Sequence, residues 1–149
     1  MAAKSSSSGA RPARTIVITR TIDAPRELVF EAWVEPKHIV HWFHASKDWT
    51  TPFAETDVRP GGAFRIGFAS PDGKSDFVFE GVYNEIRRPE RIVFTIGDGR
   101  PVTVDFVDVG GGKTKLTIEL TLEDMHSDDQ QREGWTAMVV HLGEYLATV

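Results

Sequence analysis

Three of the chain's five histidines fall within one short stretch, His38-Ile39-Val40-His41-Trp42-Phe43-His44. Imidazoles bind transition metals and change charge close to neutral pH. Residues three apart are neighbours on a helix, so His38 and His41 have the spacing to share an ion. A helical wheel argues against that use. At about 100° per residue, Trp42, Ile39, Phe43 and Val40 fill one arc and the histidines fill the other. The apolar arc is expected to enter a core and the histidine arc to face solvent. No metal site is expected, and the stripe lacks an enclosed cleft for acid–base catalysis.

Other stretches that invite chemistry fail on spacing. A phosphate-binding loop ending at Gly112-Lys113-Thr114 requires glycine at position 107, where Val107 stands. The same stretch joins two predicted strands, so a hairpin turn is expected. Asp128-Asp129 suits a helix N-terminus better than a cation. The chain contains no cysteine, which excludes disulfides, thiolate zinc sites and cysteine nucleophiles. No catalytic residue and no cofactor are expected.

Bulk properties narrow the partners. A formal net charge of −5 gives no basic excess for phosphate neutralisation, so no nucleic acid is expected. No apolar run reaches the ~18 residues of a membrane span. The absence of cysteine fits a reducing cytoplasm, the expected location. Residues 1–14 are Ser-rich, polar and without an apolar signal core, and read as a disordered tail. A single domain is expected over residues 15–149. The oligomeric state stays open between monomer and homodimer.

The elements that would position a site follow from periodicity. Thr15–Ile22 alternates and is β-branched, which predicts a strand. Pro25, expected at a first helical position, opens a short helix carrying Leu28, Val29, Ala32 and Trp33. Pro36 restarts a second short helix through His44. From residue 54 onward about six strands follow, joined by turn signals such as Pro71-Asp72-Gly73 and Gly110-Gly111-Gly112. Residues 128–149 are helical, with Trp135, Met138, Val139, Leu142, Leu146 and Val149 on one face. This order predicts an α+β fold, an antiparallel meander curved around the last helix.

Nine phenylalanines and four tryptophans give this fold its best clue to function. Phe64, Phe68, Phe77, Phe79, Tyr83, Phe94 and Phe106 fall on predicted strands. A curved sheet closed by one helix can leave a cavity, and an aromatic wall suits a small apolar ligand. The candidate lining is Trp33, Trp42, Phe43, Phe64, Arg65, Phe79, Tyr83, Phe94, Phe106, Trp135, Met138 and Leu142. Arg65 and Glu80 face either the cavity or water, and strand alternation favours water.

Several stretches together resemble one family. They are Asp57-Val58-Arg59-Pro60-Gly61-Gly62, Pro71-Asp72-Gly73, Gly81, Pro89-Glu90-Arg91 and Phe94-Thr95. Ala24-Pro25, Val29-Phe30, Trp33, Pro36 and Trp42 match upstream. Val102-Thr103-Val104, Thr114-Lys115-Leu116-Thr117 and Gly134-Trp135 match downstream. The pattern is similar to bacterial proteins related to the C-terminal domain of the activator of the heat-shock protein 90 ATPase. These belong to the START-like, birch-pollen-allergen-like superfamily. The resemblance implies a helix-grip fold: a curved antiparallel sheet around a long C-terminal helix, with two short helices after the first strand. It also implies a cavity between sheet and helices that takes lipids, polyketides or other apolar molecules. Many members carry a His and an aromatic residue after the last strand. Here Glu119-Leu120-Thr121-Leu122 stands instead, so a polar cavity group supplied there would be missing.

Three functions follow as expectations. The first is non-catalytic binding of a small hydrophobic or aromatic molecule. The second is a cyclase- or aromatase-type enzyme drawing on Arg65, Glu80, Tyr83 and His141. The third is a co-chaperone stimulating the heat-shock ATPase. A chaperone partner is not expected, because the short N-terminal tail cannot supply the separate domain that eukaryotic activators carry.

Overall fold

The computed structural model describes residues 14–46 and 48–149. The tail expected over residues 1–14 lies outside the described residues except for Arg14. That residue is held in place: its carbonyl accepts from Leu122 N–H at 2.8 Å, and its guanidinium bonds Asp124, Asp128 and the Glu123 carbonyl.

Strand β1 (Thr15–Ile22) leads into α1 (Arg26–Val34) and α2 (Pro36–Trp42). Six strands follow: β2 (Ala54–Thr56), β3 (Ala63–Ala69), β4 (Asp76–Arg87), β5 (Arg91–Ile96), β6 (Pro101–Gly110) and β7 (Lys113–Thr121). Helix α3 (Asp128–Leu146) closes the chain. The strands form one seven-stranded antiparallel sheet in the order β1-β7-β6-β5-β4-β3-β2. The helix-grip architecture is therefore present, with the sheet curled around α3. No helix of the described residues is long and apolar enough to cross a membrane.

Alternation builds the inner face. Ile16 and Ile18 on β1, Val102, Val104 and Phe106 on β6, and Leu116, Ile118 and Leu120 on β7 are all buried. Their neighbours Val17, Val107 and Lys115 point outward. Phe64, Ile66 and Phe68 on β3 stand beside Gly81, Phe79 and Phe77 of β4 in register. Gly81 is required there. A Cβ at that position would lie 2.2 Å from the Thr95 carbonyl oxygen and 2.8 Å from the Phe64 ring. The ring thus lies over bare backbone. A bulge after Tyr83 shifts the register, so that Tyr83 and Ile86 both meet inward residues of β5, Phe94 and Ile92.

The helices depart from expectation in four places. Pro25 caps α1 rather than occupying its first turn. Helix α3 is capped by Ser127, whose side chain accepts from Gln130 N–H while Gln130 reaches back to the Ser127 N–H. Asp128 and Asp129 then fill its first turn, where carboxylates complement the helix dipole. The helix stops at Leu146, which leaves Val149 off the buried face and 64% exposed.

The fourth departure shapes the site. Helix α2 ends at Trp42, two residues short of His44. Phe43 takes φ −82° and ψ 70°, and His44 N–H donates to the Trp42 carbonyl at 2.8 Å. This is an inverse γ-turn. It breaks the wheel and sends Phe43 and His44 toward the mouth of the sheet.

Candidate ligand-binding site

The C-terminal half of α3 is closely packed, with Val139, Leu142 and Leu146 buried on the core. Its first turns stand off from the β3–β4 hairpin, and a cavity of about 410 Å³ lies between them. Phe43, His44, Ala45, Ser46 and Trp49, from the segment after α2, form one wall. Phe68, Phe77 and Phe79 form a second. His126, Gln130, Gln131, Gly134, Trp135 and Met138 form the third.

The aromatic rings touch around this space. Phe43 stacks on Phe68 at 5.9 Å and meets Phe79 at 5.6 Å. Phe79 meets Trp135 edge-on at 6.3 Å, and Trp49 meets Phe77 at 5.9 Å. Phe77 sits near the hairpin tip and is 54% exposed, so it forms the lip. Polar groups at the rim are engaged locally. Gln131 bonds Glu123 N–H and the Glu123 and His126 carbonyls. Gln130 serves the cap of α3, and the His126 ring bonds Glu123 at 2.7 Å. What remains toward the interior is mostly ring and hydrocarbon.

The histidine stripe faces solvent only in part: His41 is exposed, whereas His38 and His44 are half-buried. His38 Nδ1 lies 2.7 Å from the Tyr145 hydroxyl of α3, and the His41 ring stacks on the same tyrosine. His44 reaches the cavity wall, with its ring 4.9 Å from the ring of His141. His141 is buried, and its Nδ1–H donates to the His44 carbonyl at 2.6 Å. The apolar arc of α2 does enter the core, through Ile39 and Trp42. Among the described residues, no three metal-ligating side chains converge.

Burial, then the neighbouring His141, lowers the pKa of His44; burial, then Lys37, lowers that of His38. Both groups therefore bind a proton more readily in the unfolded chain. Their stabilising contribution is complete above the ordinary histidine value of 6.5 and is lost as pH falls through and below it. We expect the melting temperature to fall on acidification from about pH 7 to 5.5, and to fall less steeply in His44→Gln. Calorimetry at constant ionic strength checks this; a melting temperature that rises over that interval contradicts it. Glu123, held low chiefly by its bond to His126, adds its own loss only further down, below the ordinary carboxylate value of 4.5.

The residues proposed from sequence separate into four groups. Phe43, Phe79, Trp135 and Met138 line the main cavity. Trp33, Phe64, Tyr83 and Phe94 line a second pocket of about 20 Å³, of which Phe43 is also a wall. Trp42, Phe106 and Leu142 lie in the core and line neither space, being at most 1% exposed. Arg65 is on the outer face, paired with Glu55 at 3.2 Å and Glu80 at 3.8 Å. Alternation dictates that position, since Phe64 and Ile66 on either side point inward.

Sequence reasoning missed Phe68 and Phe77 as wall residues, although both share the inward parity of Phe64 and Phe79. It also missed His44, Trp49 and the first turn of α3. Leu122, just after β7, is buried in the core. His126, from the loop before α3, supplies a polar side chain to the wall.

Solved structures share this fold. An AHSA1-like protein from Aeromonas hydrophila is 32% identical, with a TM-score of 0.85 over 91% of this chain and 93% of that one. Chr148 from Cytophaga hutchinsonii is 34% identical, with a TM-score of 0.76 over 90% and 92%. A putative uncharacterized protein from Rhizobium leguminosarum is 28% identical, with a TM-score of 0.72 over 93% and 97%. No curated protein matches the chain. The family model for the activator of Hsp90 ATPase homolog 1-like protein matches residues 23–147, and the chain belongs to that family.

Proposed function

We propose that this protein binds a small hydrophobic or aromatic molecule in the cavity beneath the first turns of α3, without altering it chemically. The observation that carries this reading is the aromatic wall. Phe43, Phe68, Phe77, Phe79, Trp49 and Trp135 surround about 410 Å³, within the range of small-molecule sites. A charged ligand would meet no cationic side chain among the residues of that wall. The polar rim residues Gln130, Gln131 and His126 are engaged within the protein, which leaves the interior to apolar contacts.

The placement of the polar side chains that could serve an enzyme supports binding over turnover. Arg65 and Glu80 pair with one another on the outer face. His141 sits behind the wall with its Nδ1 committed to His44. Tyr83 lies in the smaller pocket. The cysteine-free chain suits a reducing cytoplasm.

A ligand that binds only the folded state raises its stability by about 2.7 kcal/mol at a hundredfold excess over Kd. Substituted naphthalenes, biphenyls or medium-chain aliphatics are therefore expected to raise the melting temperature by several degrees. A broad apolar panel that leaves the melting temperature unchanged would refute the reading.

A further inference from the structure

The smaller pocket is not simply the narrow end of an apolar cavity. Phe43, Phe64, Phe94, Ile66 and Ile92 give it a hydrocarbon wall, but Trp33 and Tyr83 complete it. Trp33 is 6% exposed, and its indole Nε1 is buried with no hydrogen-bond partner. Tyr83 is 4% exposed, and its hydroxyl makes no hydrogen bond among the described residues. Burial raises the pKa of that phenol, so it keeps its proton and can donate. A buried donor without an acceptor, as at Trp33, is costly to leave so, and native proteins rarely do.

The chemistry of the pair restricts what satisfies it. Indole N–H donates only, and a phenol O–H donates readily. An oxygen with two lone pairs and no hydrogen can accept from both. None of the seven residues lining the pocket is cationic, so a carboxylate there would be a buried charge without a partner. A neutral carbonyl oxygen fits. About 20 Å³ has room for a single such group, or for one water molecule. Phe43 is a wall of both spaces, so the two adjoin across that ring.

We infer that the Trp33–Tyr83 pocket is a subsite for a neutral carbonyl group, and that the preferred ligands are aromatic ketones, aldehydes or quinones. The inference rests on the binding function proposed above and adds the ligand's chemical class to it. The body of the ligand occupies the main cavity, and its carbonyl oxygen accepts in the smaller pocket.

A matched pair of compounds tests this, 2-acetylnaphthalene against the nearly isosteric 2-ethylnaphthalene, titrated calorimetrically into the full chain. In a purely apolar cavity the hydrocarbon should win, because the ketone must shed its hydration. We expect the ketone to bind about tenfold tighter, as one or two well-made hydrogen bonds allow. Tyr83→Phe should erase most of that preference, with the ketone losing far more affinity than 2-ethylnaphthalene. The infrared carbonyl stretch of bound 2-acetylnaphthalene should lie below its value in hexane, and this reading needs no variant. Equal binding of the two compounds, or a ketone preference that survives in Tyr83→Phe, overturns the subsite; a water molecule then serves the donors. Binding of the hydrocarbon in that case leaves the general binding function standing. Failure of both compounds to bind sinks the two together.

Discussion

Gly134→Phe is expected to weaken ligand binding by at least about a hundredfold, some 2.7 kcal/mol, while the protein remains folded. Gly134 lies inside α3 and lines the main cavity. A Cβ built there meets only the Ala45 Cβ, at 4.0 Å, so the first carbon enters without a clash. The ring beyond it must enter the space that the ligand would fill. Glycine in a helix interior costs up to about 1 kcal/mol relative to alanine, so the substitution gains back helix propensity. Gly134→Ala is the control: it should raise stability by roughly that amount and still respond to ligand. The ligand-induced rise in melting temperature reads both variants. A Gly134→Phe protein that keeps the full rise would place the ligand elsewhere.

Trp42→Ala should destabilise the folded chain severely, by about 4 kcal/mol. Trp42 is completely buried, with its ring 5.0 Å from that of Trp33 and 5.1 Å from that of Phe43. Its indole N–H donates to the Ala32 carbonyl at 2.9 Å. Ala32 is in the last turn of α1, where carbonyls lack partners within the helix. Trp42 therefore caps α1 from α2 and fills the space beneath the cavity floor. Removing it leaves a large void and strands a buried acceptor. Trp42→Phe keeps most of the packing and loses the bond, and should cost about half as much. Urea denaturation measures both; a loss below about 1 kcal/mol for the alanine variant would refute this role.

These two residues show what periodicity reveals and what it leaves out. On the α2 wheel Trp42 is one of four apolar positions, and its bond to Ala32 has no signature in spacing. Phe64, Phe79 and Phe106 turn inward in the structure, because side chains on a pleated strand have only two directions. The same rule read with equal weight at Phe68 and Phe77 would have given the second wall. The predicted helix ran two residues too far, through Phe43 and His44. A γ-turn there follows from how the chain must leave α2 to reach β2, a tertiary demand that seven residues do not carry. Trp49 sits in an irregular segment with no period to extrapolate. The split of the aromatic residues into core, main cavity and inner pocket depends on how far α3 stands from each strand. That separation is set by the packing of many side chains at once.

The central claim is that an apolar ligand lies between α3 and the β3–β4 hairpin, and Met138 reports on it most directly. Its side chain lines the cavity, whereas Met125, in the loop before α3, is 88% exposed. With methionine methyls carbon-13 labelled, saturating 2-acetylnaphthalene should shift the Met138 methyl resonance through the ligand's ring current. Cross-relaxation should link that methyl to the ligand protons, and the Met125 methyl should stay in place. Tight binding of the compound with the Met138 methyl unmoved and unlinked would contradict the account.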